Sequence, residues 1–211
     1  YYNEKVIGID IMTKVAVYIH GKGGSAAEAS YYKKFFGEEY DVIGFDYKSE
    51  LPWAVKDEFQ NYFVDIFTRY DEVVLIAKSI GAYFSFLYLS KFNFEKAMFI
   101  SPIVDMEKLI LDKMKEVGIS EENLFLRKVM HTQSGEALSW DYLAYVRNNP
   151  ITWNIPSSIL YGKKDNMTDV TTITDFSNMI NASLTMMENG EHWFHTEEQM
   201  LFLDTWFAKF I

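Results

Sequence analysis

The sequence predicts an α/β fold, a mostly parallel central sheet with helices on both faces. Three observations predict it. Short apolar runs alternate with helical stretches along nearly the whole chain. Each run is apolar throughout, as strands buried on both faces are, and not alternately apolar and polar. The loops that follow the runs hold the chain's most reactive residue types. Right-handed crossovers bring such loops to one sheet edge, where ligands bind.

The elements follow in order. Lys5–Ile11 is apolar enough for a short strand, and Val15–Ile19, rich in β-branched residues, is a stronger one. A helix is expected over 26–36 and a strand over Tyr40–Asp46. Pro52 suits the first position of a helix that runs to Arg69. Val73–Lys78 is the next strand, with a helix over Gly81–Lys91 behind it. Ala97–Ile103, Ser158–Tyr161 and Ser183–Met187 complete the strands. A final helix spans Glu197–Phe210, with Thr196 and Gln199 as its capping box. The region from Asp105 to Asn149 breaks the rhythm with helices over Met106–Val117, Glu121–Met130 and Ser139–Val146. It reads either as a small helical cap inserted before the last two strands or as ordinary crossover helices.

Composition narrows the functional classes. The 211 residues suit one domain with a real core, and 49% hydrophobic with 17% aromatic content excludes disorder. The chain has no cysteine, which excludes disulfides and thiolate metal sites and favours a cytoplasmic setting. A net charge of −10 argues against nucleic acid and anionic membrane as partners. No apolar run is long enough to span a bilayer. No secretory leader pattern opens the sequence at Tyr1, which leaves open a leader already removed. The four histidines are scattered without metal-ligand spacing, and the glycine-rich stretch Gly21–Gly24 fits neither nucleotide-binding pattern. No metal or cofactor is therefore expected. The expected partner is a small-molecule substrate, and the oligomeric state is open.

The most informative segment is Val73–Ala82. An apolar run ends at Ser79, with Ala77 two residues before and Gly81 two residues after, and a helical pattern starts at once. A serine held on a tight strand-to-helix turn needs small residues at those positions so that strand and helix can approach. A serine hydroxyl needs a base, and the base needs a third group to orient it. Downstream, Asp165 lies just past one predicted strand and His192 lies in the loop after the last. Asp169 and Asp105 are rivals for the acid, and His195 for the base. Two N–H donors must also face the developing oxyanion. Ile80, next to the serine, and Lys22, in the glycine-rich loop after Val15–Ile19, are the candidates.

Together these segments resemble the α/β-hydrolases, and the resemblance covers nearly the whole chain. It rests on His20-Gly21-Lys22-Gly23-Gly24, Ala77-Lys78-Ser79-Ile80-Gly81, Tyr161-Gly162-Lys163-Lys164-Asp165 and Gly190-Glu191-His192. Each follows a predicted strand, in the order Ser, Asp, His. The departure is Ala77, where the family has Gly. Ser139–Tyr142 and Arg147–Pro150 also resemble bacterial members without an assigned substrate. The resemblance implies Ser79 as nucleophile, His192 as base, Asp165 as orienting acid, and Lys22 and Ile80 as oxyanion donors. It implies a carboxylesterase-like hydrolase acting on an ester or thioester. Amide or C–C cleavage, acyl transfer, and a non-catalytic binding protein on the same fold are the alternatives.

The remaining candidates are weaker. Gly21, Trp193 and Phe194 are expected near the substrate, while Trp140, Tyr142 and Trp153 fit core positions as well. His20 reads as a loop-ordering group and His131 as exposed. Lys78 is expected to point away from Ser79, as strand neighbours do. Lys22 and Lys163 could attract an anionic substrate or simply be solvated.

Overall fold

The structure, a computed structural model, describes residues 13–133 and 135–211. The expected strand at Lys5–Ile11 lies outside them. The described residues hold strands β1 (Lys14–Ile19), β2 (Tyr40–Phe45), β3 (Glu72–Lys78), β4 (Lys96–Ile100), β5 (Val129–His131), β6 (Ala137–Ser139), β7 (Ser157–Gly162) and β8 (Ser183–Met187). Six of them form one sheet in the order β2-β1-β3-β4-β7-β8, and every pairing in it is parallel. The other two, β5 and β6, form a separate antiparallel hairpin. The helices are α1 (Ala29–Tyr32), α2 (Pro52–Arg69), α3 (Ile80–Tyr88), α4 (Met106–Glu116), α5 (Glu121–Arg127), α6 (Trp140–Asn148), α7 (Val170–Met179) and α8 (Glu197–Phe210). None is long and apolar enough to cross a membrane.

Strand alternation divides the core into two layers. Val15, Val17, Ile19, Val73, Leu75 and Ala77 face one side, where Val55, Phe59, Phe63 and Ile66 of α2 and Phe84 and Phe86 of α3 close over them. The spacing of the α2 residues is that of one helical face. Ala16, Tyr18, Val74, Ile76, Met98 and Ile100 face the other side, against Tyr32 of α1 and Leu203, Trp206 and Phe207 of α8. Both faces of the central strands β1, β3 and β4 are covered, which is why their middle positions are apolar on both sides, whereas the edge strands β2 and β8 carry polar or part-exposed residues.

Several expectations shift in detail. The expected helix over 26–36 is three short pieces, a 3₁₀ turn over Ala26–Glu28, α1, and a second turn over Lys33–Phe35. Gly44 of β2 packs here so closely that a Cβ on it would lie 2.0 Å from the Ala26 carbonyl oxygen. The strand before Ser101 stops at Ile100, because Ser101 turns into the left-handed region at φ 44°. Helix α5 ends at Arg127, before the expected Met130, because Lys128 leaves the helical region at φ 63° and Met130 joins the hairpin. Neither the hairpin nor α7 was foreseen. At α8, the Thr196 hydroxyl accepts from the Gln199 N–H as expected of a capping box. The Gln199 side chain, however, accepts from the His195 N–H and not from Thr196.

The segment between β4 and β7 builds a small core of its own. Met114, Leu124, Leu138 and Leu143 are buried together. Arg147 joins Glu107 of α4 and Glu121 of α5. The Tyr145 hydroxyl of α6 lies 3.1 Å from that of Tyr88 on α3, and Trp53 of α2 packs against Tyr145.

Two stability outcomes follow. Phe59→Ala, at a fully buried position, is expected to cost about 3–5 kcal/mol in urea unfolding, whereas Val64→Ala on the exposed face of the same helix should stay within about 0.5 kcal/mol. Asp169 caps α7 by accepting from the Thr172 N–H, which draws its carboxyl down to about 2. Asp169→Ala is therefore expected to cost about 1 kcal/mol at neutral pH. A depressed carboxyl stabilises above its unfolded pKa of about 3.9, so the gap to wild type should close as pH falls through that value towards 2.

Candidate active site

Parallel register aligns the ends of the strands that carry the predicted residues. Ile19 pairs with Ala77, Lys78 with Ile100, and Gly162 with Met187. The loops that begin at His20, Ser79, Lys163 and Glu188 therefore leave the sheet at one edge.

Ser79 sits at a forced turn. Its φ is 53° and ψ −123°, a conformation that costs a non-glycine residue about 1–3 kcal/mol. Backbone hydrogen bonds hold it there. The Ser79 N–H donates to the Ile100 carbonyl at 3.1 Å, and the Ser79 carbonyl accepts from Ala82 at 3.1 Å and from Ile103 at 3.3 Å. Gly81 is required by space, because a Cβ there would lie 2.3 Å from the His20 carbonyl oxygen and 2.9 Å from Ile19 Cγ2. A Cβ on Gly21 would likewise stand 3.1 Å from Ser79 Cβ. Ala77 is fully buried in the core, so its methyl group is accommodated where the family motif has glycine.

The turn presents the Ser79 hydroxyl to His192. Ser79 Oγ lies 2.8 Å from His192 Nε2, and His192 Nδ1 lies 2.7 Å from Asp165 Oδ2. The other oxygen, Asp165 Oδ1, accepts from the N–H groups of Met167 at 2.7 Å and Thr168 at 3.1 Å. The side chains of His192 and Asp165 are 2% and 0% exposed. A carboxylate that sealed from water is tolerable only with such partners. Because the carboxylate only accepts, His192 Nδ1 carries the ring proton, which leaves Nε2 as an acceptor facing the serine. The two loops are locked together. Lys164 N–H donates to the Gly190 carbonyl, and a Cβ on Gly162 would lie 2.3 Å from Gly190 C. The Tyr161 hydroxyl, its pKa raised to about 12 by burial, donates to the Thr168 carbonyl at 2.7 Å. That bond fixes the turn whose N–H groups hold Asp165.

Solved structures of other proteins share this plan. Est1E from Butyrivibrio proteoclasticus superposes with a TM-score of 0.71 at 14% identity, over 94% of this chain and 87% of that one. A further structure of Est1E carries ferulic acid. Alpha/beta hydrolase domain-containing protein 10 from mouse gives 0.67 at 13%, over 93% and 90%. The thioesterase domain from the curacin biosynthetic pathway gives 0.56 at 12%, over 92% and 91%. The sequence matches no family model and no curated protein. This chain has the α/β-hydrolase fold. At these identities the likeness is one of fold, and the chemistry rests on the residues themselves.

Within the α/β-hydrolase fold the remaining candidates divide. Gly21, Lys22, Ser79, His192 and Trp193 line one narrow cleft together with Gly24, Glu28 and Lys78. Neither the Lys22 nor the Ile80 N–H donates to a backbone acceptor among the described residues. Phe194 was expected at the substrate but is buried in the sheet-to-α8 core, because the chain after Trp193 turns inward to start that helix. Trp153 is core as well, and Trp140 packs on Phe125 in the β4–β7 segment. The rival acids serve as helix caps, Asp105 for α4 and Asp169 for α7. His195 is exposed and bonds the Trp193 carbonyl. His20 donates to the Gly21 carbonyl and stacks on Tyr47 at 4.4 Å, so it does order its loop. Lys163 pairs with Glu188 at the surface. Among the described residues, no three His, Asp or Glu side chains converge as metal ligands would.

Lys78 is the correction of most consequence. Strand alternation places it opposite Ser79, yet the two share the cleft. The positive φ at Ser79 breaks the pleat, so the alternation ends one residue before the serine.

Gly162→Ala should cost about 2 kcal/mol or more in thermal or urea unfolding, since backbone and not a flexible side chain blocks the new methyl group.

Proposed function

We propose that the protein is a serine hydrolase that cleaves a small carboxylic ester or thioester through an acyl-enzyme on Ser79. One observation carries the reading, the unbroken chain of hydrogen bonds from Ser79 Oγ through both nitrogens of His192 to Asp165. In the first step His192 Nε2 accepts the serine proton as Oγ attacks the carbonyl carbon. Asp165 stabilises the imidazolium that results. The N–H groups of Lys22 and Ile80 receive the oxyanion, each worth about 3 kcal/mol of barrier. His192 then gives the proton to the leaving oxygen or sulfur. Water, activated by the same nitrogen, releases the acid and restores Ser79.

The esterases and the thioesterase domain among the structural neighbours support an ester or thioester over other acyl compounds. The segment from Asp105 to Asn149, with its own apolar cluster, is read as a cap on the domain. The lack of cysteine supports a cytoplasmic setting.

Intact-mass spectrometry after treatment with a fluorophosphonate should show one adduct, mapped to Ser79 and absent from His192→Ala. Ser79→Ala should keep the fold, checked by circular dichroism, and lose about 10⁴–10⁶ in kcat on an activated ester. An undiminished rate in that variant would sink the proposal, and a folded protein that takes no adduct and turns over no ester would favour a binding role.

A further inference from the structure

The cleft beside Ser79 holds more cationic charge than the proposed chemistry uses. Lys78 and Lys22 both line it, in a protein whose net charge is −10. Lys22 is exposed at the mouth, whereas Lys78 is half-buried. The Lys78 ammonium has no carboxylate at ion-pair distance among the described residues. Its close neighbour is the face of Trp193, with Nζ 5.4 Å from the ring centroid. Glu28 is the acidic side chain in the cleft, beyond ion-pair distance of Lys78, and each of its oxygens already accepts a hydrogen bond. One accepts from the Ser25 N–H at 2.9 Å and the other from the Tyr18 hydroxyl at 2.7 Å. Burial holds the Lys78 amine below its ordinary range, with the field of Glu28 pulling it part of the way back. A half-buried ammonium without a counter-ion carries an unpaid desolvation penalty, which an anionic ligand would relieve.

The position of the cleft says which part of a substrate meets this charge. His192 must deliver its proton to the leaving group, so the leaving group lies on the His192 side of the scissile bond. His192, Trp193 and Lys78 line that same cleft. We propose that Lys78 is a specificity-determining residue that binds a carboxylate on the alcohol or thiol portion of the substrate, with the Trp193 ring as the apolar wall beside it. The inference rests on the serine-hydrolase reading of Ser79 and His192. Lys78 is the half-buried ammonium on the His192 side, with the Glu28 carboxylate in the same cleft, and that surrounding suits the single charge of a carboxylate better than the greater charge of a phosphate.

The test compares para-nitrophenyl acetate with its analogue bearing one carboxylate on the nitrophenyl ring. Each kcat/KM is divided by that ester's own rate with hydroxide, and the readout is the ratio of the two within one protein. Wild type should favour the carboxylate ester by about tenfold or more, as a charge-assisted contact would. Lys78→Met should bring the ratio close to one, and Lys78→Arg should retain most of the preference. Should Lys78→Met fail to fold, Lys78→Gln serves in its place, since it keeps a polar stem and removes the charge. Turnover of both esters with the same ratio in wild type and in the variant that lacks the charge overturns the subsite and leaves the hydrolase standing. No turnover of either ester and no fluorophosphonate adduct on Ser79 overturns the hydrolase reading and this inference with it.

Discussion

The close approach of β1, β3 and α3 around Ser79 is the constraint on which the rest depends. A non-glycine residue is held at φ 53°, and it stays there because Gly81 lets the helix pass within van der Waals contact of the His20 carbonyl. The buried layers on both sheet faces supply the free energy that offsets this strain. Were the strands free to slide, the serine would relax into a regular strand end and its hydroxyl would no longer meet His192. Parallel pairing with both faces buried prevents such a slip, because a shift of one residue would exchange every side chain between the two layers.

Much of this was legible in the sequence, for a physical reason. Segments such as Val73–Lys78 and Pro52–Arg69 carry strong local signals, a fully apolar run or an apolar helical face with proline at its start, and tertiary packing only strengthens them. The loop motifs were legible because backbone crowding leaves few choices. Gly21, Gly81, Gly162 and Gly190 all stand where a Cβ would press on a neighbouring element. The hairpin of β5 and β6 was not legible. Its strands are three residues each, and they pack against α5 and α6 through contacts that no local pattern records. Helix α7 was missed because Val170–Met179 carries three threonines with Asp175, Ser177 and Asn178, weak helix formers whose helix depends on the Asp169 cap and on Ile173 and Phe176 reaching the core.

The misplacements share one cause, the use of a regular-structure rule past the end of the regular structure. Alternation put Lys78 opposite Ser79, but the turn begins at the serine itself. Adjacency to His192 put Phe194 beside Trp193 at the site, but the entry into α8 separates the two, leaving Trp193 54% exposed and Phe194 4%. At a functional edge each residue's direction is set by the turn it occupies, and adjacent residues part company.

The Asp165 turn shows how tightly the site is bound to the fold. A fully buried carboxylate would be ruinous alone. Here one oxygen takes two backbone N–H groups and the other takes His192, so the charge is met only when three separate pieces are in place. The turn over 165–168 must close, Tyr161 must hold the Thr168 carbonyl, and the 188–192 loop must pack on Gly162. Disorder in any one of them exposes or unpairs the charge. The carboxylate that orients His192 thereby also makes the arrangement of these loops nearly all-or-none, and a partly formed site is costlier than either a complete one or an unfolded chain.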